Sequence, residues 1–223
     1  MEQEYSIRTE NVCRYFKVGG VETRAVDDVT LQIPSKQLVV LRGRSGSGKT
    51  TLMNLMGAMD MPTSGKIWMD EEEITAMSDA GRDAFRRQKT GFVFQSVALI
   101  TMMSAYENVE FALRMANYPK AKRRERAMEA LRMVGLEARA DHMARELSGG
   151  EQQRVAVARA IAPKPRFLFA DEPTSEQDSA TGLQVLKVFQ ELAKETTVVI
   201  TTHDEVIASM ADCVFAMEDG KLI

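Results

Sequence analysis

The sequence predicts an α/β protein with a mostly parallel core sheet, an antiparallel β part at the N-terminus and an inserted helical segment. Three patterns indicate this architecture. Short β-type runs separated by turn residues open the chain, apolar runs alternate with helical patterns later on, and residues 104–162 carry helical patterns without a strong strand signal. Apolar strands that alternate with helices favour a parallel sheet covered on both faces.

The first part of the chain indicates antiparallel strands. Its β-type runs cover residues 5–12, 26–33 and 38–41, and Gly19-Gly20 and Pro34 separate them as turn residues. Strands that follow one another across such short turns favour antiparallel pairing.

The later part of the chain indicates the parallel sheet. Apolar runs at residues 166–170 and 197–201 are each followed by a helical pattern, at residues 179–194 and 204–210. Near the C-terminus, the Asp219-Gly220 pair is typical of a tight hairpin turn.

Between these parts, the inserted segment predicts helices separated by helix-breaking residues. The predicted helices cover residues 104–116, 120–134 and 151–162. We therefore expect one domain over residues 1–223. Within it, residues of about 1–95 and 163–223 would form the core with the antiparallel part, and residues of about 96–162 the helical subdomain.

Composition narrows the function classes. Hydrophobic residues make up 44% of the 223 residues and charged residues 27%, which is ordinary for a globular protein. The net charge of −3 gives no overall basic field, so nucleic acid is not the expected partner. Cys13 and Cys213 are expected as free thiols in the cytoplasm, since the N-terminus lacks the order of a signal peptide. No apolar stretch approaches the roughly 18 residues that span a bilayer.

A glycine-rich loop directly follows the apolar run at residues 38–41 and matches the phosphate-binding pattern G-x-x-x-x-G-K-[ST]. Its glycines allow backbone N–H groups to converge on phosphate oxygens, Lys49 reaches the β- and γ-phosphates, and Thr50 offers a hydroxyl to Mg²⁺. A glycine-rich turn without a ligand is the simpler alternative, which the preceding strand and the following helical pattern disfavour. The predicted phosphate-binding residues are Gly43, Arg44, Ser45, Gly46, Ser47, Gly48, Lys49, Thr50 and Thr51.

Two carboxylates end the apolar run at residues 166–170. Asp171 suits the Mg²⁺ shell, and Glu172 is placed to polarise a water for in-line attack on the γ-phosphate. Either carboxylate alone could instead cap the following helix. Beside a phosphate-binding loop, the pair predicts ATP hydrolysis with Mg²⁺.

The motif Leu147-Ser148-Gly149-Gly150-Glu151 decides the family. It closely resembles the signature motif of ABC ATPases, usually written LSGGQ, and it precedes the Asp-Glu strand as in that family. Ser148 and the two glycine amides can form a second phosphate-binding nest at a helix N-terminus. A helix cap without a ligand would explain this motif alone, but not its occurrence beside the other two.

The resemblance extends over essentially the whole chain and implies further roles. Gln95 resembles the glutamine that senses Mg²⁺ and the attacking water, His203 resembles the switch histidine on the γ-phosphate, and Phe16 matches the aromatic residue that stacks on adenine. The adjacent Tyr15 is the second candidate for that stacking role. The resemblance also implies that Ser148, Gly149, Gly150, Glu151 and Asp178 act on the nucleotide of a second subunit, in a head-to-tail homodimer.

Two positions depart from the family pattern. Glu151 stands where the signature usually has Gln, and Gln177 stands where the segment before Asp178 usually has Leu. The second departure concerns the packing of the dimer interface and the coupling between its two sites.

Within the family, the sequence is most similar to the group that serves macrolide exporters, lipoprotein release and detoxification of antimicrobial peptides. This similarity rests on the amino-acid sequences of residues 91–95 and 170–174 and on the segment 70–90 with Arg86-Arg87. The alternative is a cell-division-type ABC ATPase that signals across the membrane without transport. A DNA-repair ABC ATPase is disfavoured because zinc motifs and long coiled-coil insertions are not seen in the sequence.

The resemblance implies a membrane permease as partner, with the ATPase at the cytoplasmic face of the membrane. The surface from about residue 96 to 106, with Met102 and Met103, is expected to receive a short helix of that permease. Methionine is suited to such a surface because it is flexible and apolar.

Overall fold

The computed structural model describes residues 5–174 and 179–223, and within them the strands form two sheets. A four-stranded antiparallel sheet has the order β2-β1-β4-β5. Its strands are β1 (Tyr5–Val18), β2 (Val21–Pro34), β4 (Ser64–Met69) and β5 (Glu72–Glu73). The predicted antiparallel start of the chain is therefore confirmed.

The hairpin of β1 and β2 is longer than the apolar pattern predicts. Gly19 and Gly20, with φ of 59° and 83°, form the two-residue turn between the strands. Pairing continues up to that turn, although residues 21–24 are exposed. An alternating apolar pattern marks the half-buried part of a strand, so it does not reveal this solvent-exposed end.

The second sheet has the order β10-β9-β3-β8-β7-β6, and all its neighbours are parallel except β9 and β10. Its strands are β3 (Leu38–Arg42), β6 (Thr90–Val93), β7 (Phe167–Asp171), β8 (Thr197–Thr202), β9 (Cys213–Glu218) and β10 (Lys221–Leu222). Every residue of β7 and β8 is buried, as expected for parallel strands covered on both faces. The predicted parallel core sheet is confirmed, and β9 and β10 form the expected C-terminal hairpin.

The helices agree with the predicted segments to within a few residues, and α2 is an addition. They are α1 (Lys49–Met56), α2 (Asp79–Lys89), α3 (Ala105–Met115), α4 (Arg123–Met133), α5 (Gly149–Ile161), α6 (Ser179–Ala193) and α7 (Glu205–Ser209). Helices α3, α4 and α5 pack against one another. Instead of one helix over residues 120–134, a 3₁₀ turn at Lys120–Lys122 precedes α4.

Two buried clusters lie on opposite faces of the core sheet. Leu38, Leu168 and Val198 point to the cluster shared with α3, α4 and α5. Val39 and Phe167 point the other way, to the cluster shared with α1 and the antiparallel sheet. Neighbouring residues of one strand face opposite sides, so a single sheet organises both cores.

Among residues 5–174 and 179–223, no helix is both long enough and apolar enough to cross a membrane.

Candidate active site

Four neighbouring parallel strands end at one edge of the core sheet and bring the predicted site residues together. In the order β3-β8-β7-β6, these strands lead into Gly43, His203, Asp171-Glu172 and Gln95. In open α/β sheets, ligands bind in the crevice outside the carboxyl ends of the strands. Four segments that are distant in sequence thus meet at one edge.

The glycine-rich loop wraps around the side chain of Lys49. Lys49 is 6% exposed, and its Nζ donates hydrogen bonds to the carbonyls of Gly43 (2.7 Å) and Arg44 (2.9 Å). At the end of the loop, Gly48 has a φ of 99°, and a Cβ added there would lie 2.1 Å from the Ala25 carbonyl oxygen. The loop can therefore close against β2 only with glycine at this position.

The loop borders a cleft of about 350 Å³, which Thr23, Arg24 and Asp219 also line. The Ser47 Oγ is buried and has no hydrogen-bond partner within the described residues. A buried hydroxyl without a partner is costly unless a ligand satisfies it. The loop, its lysine and this hydroxyl fit a phosphate-bearing ligand.

Thr50 and Asp171 face each other across the end of β7. The Thr50 hydroxyl lies 3.0 Å from each carboxylate oxygen of Asp171, and the Thr201 hydroxyl donates a hydrogen bond to the same carboxylate. Hydroxyl and carboxylate oxygens are the hard ligands that Mg²⁺ prefers. Within the described residues, no three or more His, Cys, Asp or Glu side chains are placed so that they alone could hold a metal ion. A magnesium site needs no such set, since Mg²⁺ keeps several waters and binds through one or two protein groups with substrate phosphates.

Glu172 lies beside His203 at the ends of β7 and β8. The His203 Nδ1 and the Glu172 Oε1 are 3.1 Å apart. The backbone N–H of Glu172 donates to the carbonyl and the hydroxyl of Thr201, both at 3.1 Å, and Glu172 has a φ of 45°. Non-glycine residues rarely adopt this left-handed conformation, and it clusters at functional sites.

Gln95 is exposed and lies two residues beyond β6. The loop that follows is attached to α5, because Arg159 donates to the carbonyls of Ala98 (2.6 Å) and Val97 (3.3 Å). Sequence reasoning gave Arg159 no role. Burial lowers the pKa of this guanidinium.

The two candidate aromatic residues differ in exposure and partners. Tyr15 donates its hydroxyl to Asp27 at 2.6 Å, and this hydrogen bond raises the pKa of Tyr15 above its ordinary value. Phe16 is 37% exposed and pairs across the strands with Thr23, which lines the cleft. Phe16 is thus the aromatic residue that is open to solvent on this side of the hairpin.

The signature motif lies at the start of α5. Ser148 caps the helix by accepting from the Glu151 N–H, and Glu151 accepts from the Ser148 N–H at 2.9 Å. The Ser148 backbone N–H holds the pKa of Glu151 below its usual range. A Cβ added at Gly149 or Gly150 would meet no atom within 4 Å among the described residues. These two glycines therefore leave open space that another molecule could approach.

The structure does not bring the signature motif to the cleft of its own phosphate loop. Residues 148–151 are absent from the described lining of that cleft. Asp178 and Gln177 lie outside the described residues.

Sequence reasoning also missed an apolar groove of about 480 Å³ beyond Gln95. Its apolar lining includes side chains from the end of β6, the following loop and α3. These are Phe92, Phe94, Ile100, Phe111 and Met115. Met102 is 67% exposed and Met103 half-buried, and neither is among the lining residues. The i, i+4 spacing of Phe111 and Met115 on a predicted helix was the available signal.

Comparison with known proteins identifies the family. Residues 26–175 match the family described as ABC transporter. The chain belongs to this family. Among its relatives is the lipoprotein-releasing system ATP-binding protein LolD of Syntrophotalea carbinolica. The two sequences are 41% identical over 218 residues, and this alignment covers 97% of this chain and 96% of LolD.

A second relative is the macrolide export ATP-binding/permease protein MacB of Hyphomonas neptunium. It is 40% identical over 218 residues, which are 97% of this chain and 34% of MacB. Among solved structures, the dimeric ABC transporter cassette MJ0796, whose sequence is from Methanocaldococcus jannaschii, superimposes with a TM-score of 0.92. That match has 38% identity and covers 97% of this chain and 96% of the other.

A further dimeric structure of MJ0796 is a post-hydrolysis state bound to ADP and Pi, with a TM-score of 0.92 and 37% identity. These similarities establish that the chain has the ABC ATPase fold and hydrolyses ATP. It is an ATP-binding subunit of the type found in ABC transporters.

Proposed function

We propose that this ABC ATPase hydrolyses ATP with Mg²⁺ at the carboxyl edge of its core sheet and so drives a separate membrane permease. The 3.0 Å approach of the Thr50 hydroxyl to both Asp171 oxygens, beside the loop around Lys49, carries the proposal. Thr50, Asp171 and Gln95 would hold Mg²⁺, which when bound would neutralise charge on the β- and γ-phosphates.

The other residues at this edge would position the substrate and the attacking water. Lys49 would bind the β- and γ-phosphates, and Phe16 would stack on adenine. Glu172 would accept a proton from the water, and His203 would contact the γ-phosphate. The contact between Glu172 and His203 supports this assignment, because it holds the proposed base beside the proposed phosphate contact.

We further propose that the working form is a head-to-tail homodimer. The dimeric structures of MJ0796 support association in general. The open space at Gly149 and Gly150 supports the finer arrangement, because packing within the described residues gives no reason for two glycines there. Ser148, Gly149, Gly150 and Glu151 would then bind the phosphates held by the partner subunit's loop, with Asp178 at the same interface.

The permease would contact the groove formed by Phe92, Phe94, Ile100, Phe111 and Met115. An apolar groove of this kind receives the apolar face of a helix. This contact would hold the ATPase at the cytoplasmic face of the membrane. The groove lies where the helical subdomain, at about residues 96–162, would meet the core formed by about 1–95 and 163–223.

The relatives support the subgroup. One is named for lipoprotein release and another for macrolide export, and in MacB the ATP-binding and permease parts are named as one protein. We propose that this chain serves export or movement of extracytoplasmic permease parts within this group. The cell-division-type alternative is not favoured by these relatives.

The test is ATP turnover and ATP binding by Lys49→Ala, compared with Lys194→Ala. Lys49 provides the cation proposed to bind the phosphates, whereas Lys194 is an exposed lysine at the end of α6 that pairs with Glu191. We expect Lys49→Ala to abolish hydrolysis and Lys194→Ala to resemble the unmodified protein. Near-normal hydrolysis in Lys49→Ala would overturn the assignment of the site.

A further inference from the structure

Arg14 lies against the ring of Phe16. Its guanidinium carbon is 4.6 Å from the ring centroid, within the range of a cation–π contact. The Arg14 Nε and Nη2 donate to the two carboxylate oxygens of Asp60 at 2.8 and 3.0 Å. This two-pronged geometry fixes the plane of the guanidinium, and hence its position on the ring.

Asp60 is itself attached to the helix that begins at the phosphate-binding loop. It follows α1 closely, and its N–H donates to the Asn54 carbonyl of that helix at 3.3 Å. Its side chain also accepts from the Met61 N–H at 2.8 Å. The position of the carboxylate is therefore set by α1 and the turn after it.

The strand on either side of Arg14 is bound to the same turn. The Thr63 N–H donates to the Cys13 carbonyl at 2.7 Å, and the Tyr15 N–H donates to the Thr63 hydroxyl at 3.0 Å. Main-chain and side-chain contacts thus join this part of β1 to the segment following α1. Together they connect the antiparallel sheet to the phosphate-binding helix.

We propose that Arg14 and Asp60 are positioning residues that hold Phe16 at a fixed place relative to the phosphate loop, as a platform for the nucleotide base. This inference rests on the proposed stacking role of Phe16. The guanidinium lies over the ring of Phe16, which remains 37% exposed, and the base would stack on the part of the ring that is open to solvent. A platform fixed before binding loses less conformational freedom when the base stacks, so affinity rises without a new contact to the ligand.

A purely structural ion pair makes a different prediction. Arg14 and Asp60 have side-chain exposures of 27% and 34%, and a pair of this kind contributes little stability by itself. If it only joined two segments, its loss would change the melting temperature little and would affect every ligand of the phosphate loop equally. If it positions Phe16, its loss weakens the binding of ligands that carry a base.

The experiment compares ATP with inorganic triphosphate, which offers phosphates without a base, by calorimetric titration in the presence of Mg²⁺. The variants are Arg14→Met, Asp60→Asn, Phe16→Leu and the double variant Arg14→Met with Phe16→Leu. The matched control is Arg8→Met, because Arg8 is an arginine of the same strand that lies over Trp68 at 4.3 Å instead of Phe16.

We expect Arg14→Met and Asp60→Asn each to weaken ATP binding by about 3- to 10-fold, the scale of one cation–π contact, with triphosphate binding unchanged. The double variant should bind ATP no more weakly than Phe16→Leu alone, since the two residues would act as one unit. Arg8→Met should bind both ligands normally.

The inference would be overturned if Arg14→Met weakened the binding of ATP and of triphosphate equally. It would also be overturned if Arg14→Met bound ATP as tightly as the unmodified protein or more tightly. If Phe16→Leu weakens ATP binding while Arg14→Met and Asp60→Asn do not, only the positioning role fails. If Phe16→Leu also leaves the ratio of the two affinities unchanged, the stacking role of Phe16 fails with it.

Discussion

The His203 Nδ1 lies 3.1 Å from the Glu172 Oε1, so one side-chain contact joins the ends of two neighbouring parallel strands. Glu172 is held from the other side by Thr201, which accepts from its N–H. The Thr201 hydroxyl also donates to Asp171. The proposed base and the proposed magnesium ligand thus share one threonine, and neither can shift independently of β8.

We expect Glu172→Gln to retain ATP binding and to lose hydrolysis by about 10²- to 10⁴-fold, the usual contribution of a general base. The amide keeps the size of the side chain but cannot accept the proton from water. The variant should then accumulate as an ATP-bound dimer, which sedimentation in ATP and Mg²⁺ would detect.

Asp204→Asn is the control for Glu172→Gln, because it removes a nearby carboxylate that caps α7 and has no proposed role in hydrolysis. Normal turnover by Glu172→Gln, or a monomer in the presence of ATP, would contradict the role given to Glu172.

The apolar groove predicts which substitutions weaken association with the permease. Phe111 is 40% exposed and lines the groove, whereas Met102 is 67% exposed and does not. Phe111→Asp should weaken association by about 2 kcal/mol or more, because buried aromatic anchors carry much of an interface's energy. Met102→Asp, the matched control, should change association little.

Co-purification with the permease measures this association, and ATP binding by the isolated subunit tests whether the variant is intact. Reduced association by Met102→Asp with normal association by Phe111→Asp would move the contact from the groove to the loop before α3.

The departure at Glu151 predicts a pH dependence that glutamine would remove. The Ser148 N–H lowers the pKa of Glu151 from its ordinary value of 4.5. Because the pKa of Glu151 is lower in the folded protein than in the unfolded chain, the ionised carboxylate stabilises the fold fully above about pH 4.5. This stabilisation is lost as the pH falls through the pKa of the folded protein. The difference in unfolding free energy between the unmodified protein and Glu151→Gln should therefore shrink only below about pH 4.5.

Urea unfolding of both proteins between about pH 6 and pH 3.5 measures this difference. A difference that instead narrows between pH 6 and 5 would show that another group is responsible.

The fold and the active-site edge follow from local sequence signals to different extents. Lys49, Asp171 and His203 each follow an apolar strand signal, so parallel strands predict that they share an edge. Helix α2 was missed because it is strongly charged and buries Phe85 in an otherwise polar pattern. Strand β6 is only four residues long, too short for a clear periodicity.

Contacts between distant segments were not predictable from motifs. Arg159 binds carbonyls 61 and 62 residues away, and Arg14 of β1 binds Asp60 in the turn after α1. The groove combines residues of β6, the loop and α3. Met102 and Met103 lie close to Gln95 in sequence but do not line the groove, because tertiary packing decides which side chains line it.

Arg126 offers a test of what joins two helices of the helical part, α4 and α5. It is 5% exposed on α4, and its guanidinium donates to the carbonyls of Ala162 (2.7 Å) and Ile161 (2.9 Å) at the end of α5. The last carbonyls of a helix lack partners within the helix, so Arg126 satisfies groups that would otherwise be buried and unpaired. Its pair with Glu129 at 2.8 Å offsets part of the cost of burying the charge.

Arg126→Met, which keeps much of the apolar stem, should therefore lower the free energy of unfolding by about 2–4 kcal/mol in urea titrations. The matched control is Arg132→Met on the same helix, whose side chain is 62% exposed and pairs with Glu137. An exposed pair of this kind is worth about 1 kcal/mol at most. Equal losses in the two variants would mean that the carbonyls of Ile161 and Ala162 find water in place of Arg126, and that this guanidinium does not hold α4 to the end of α5.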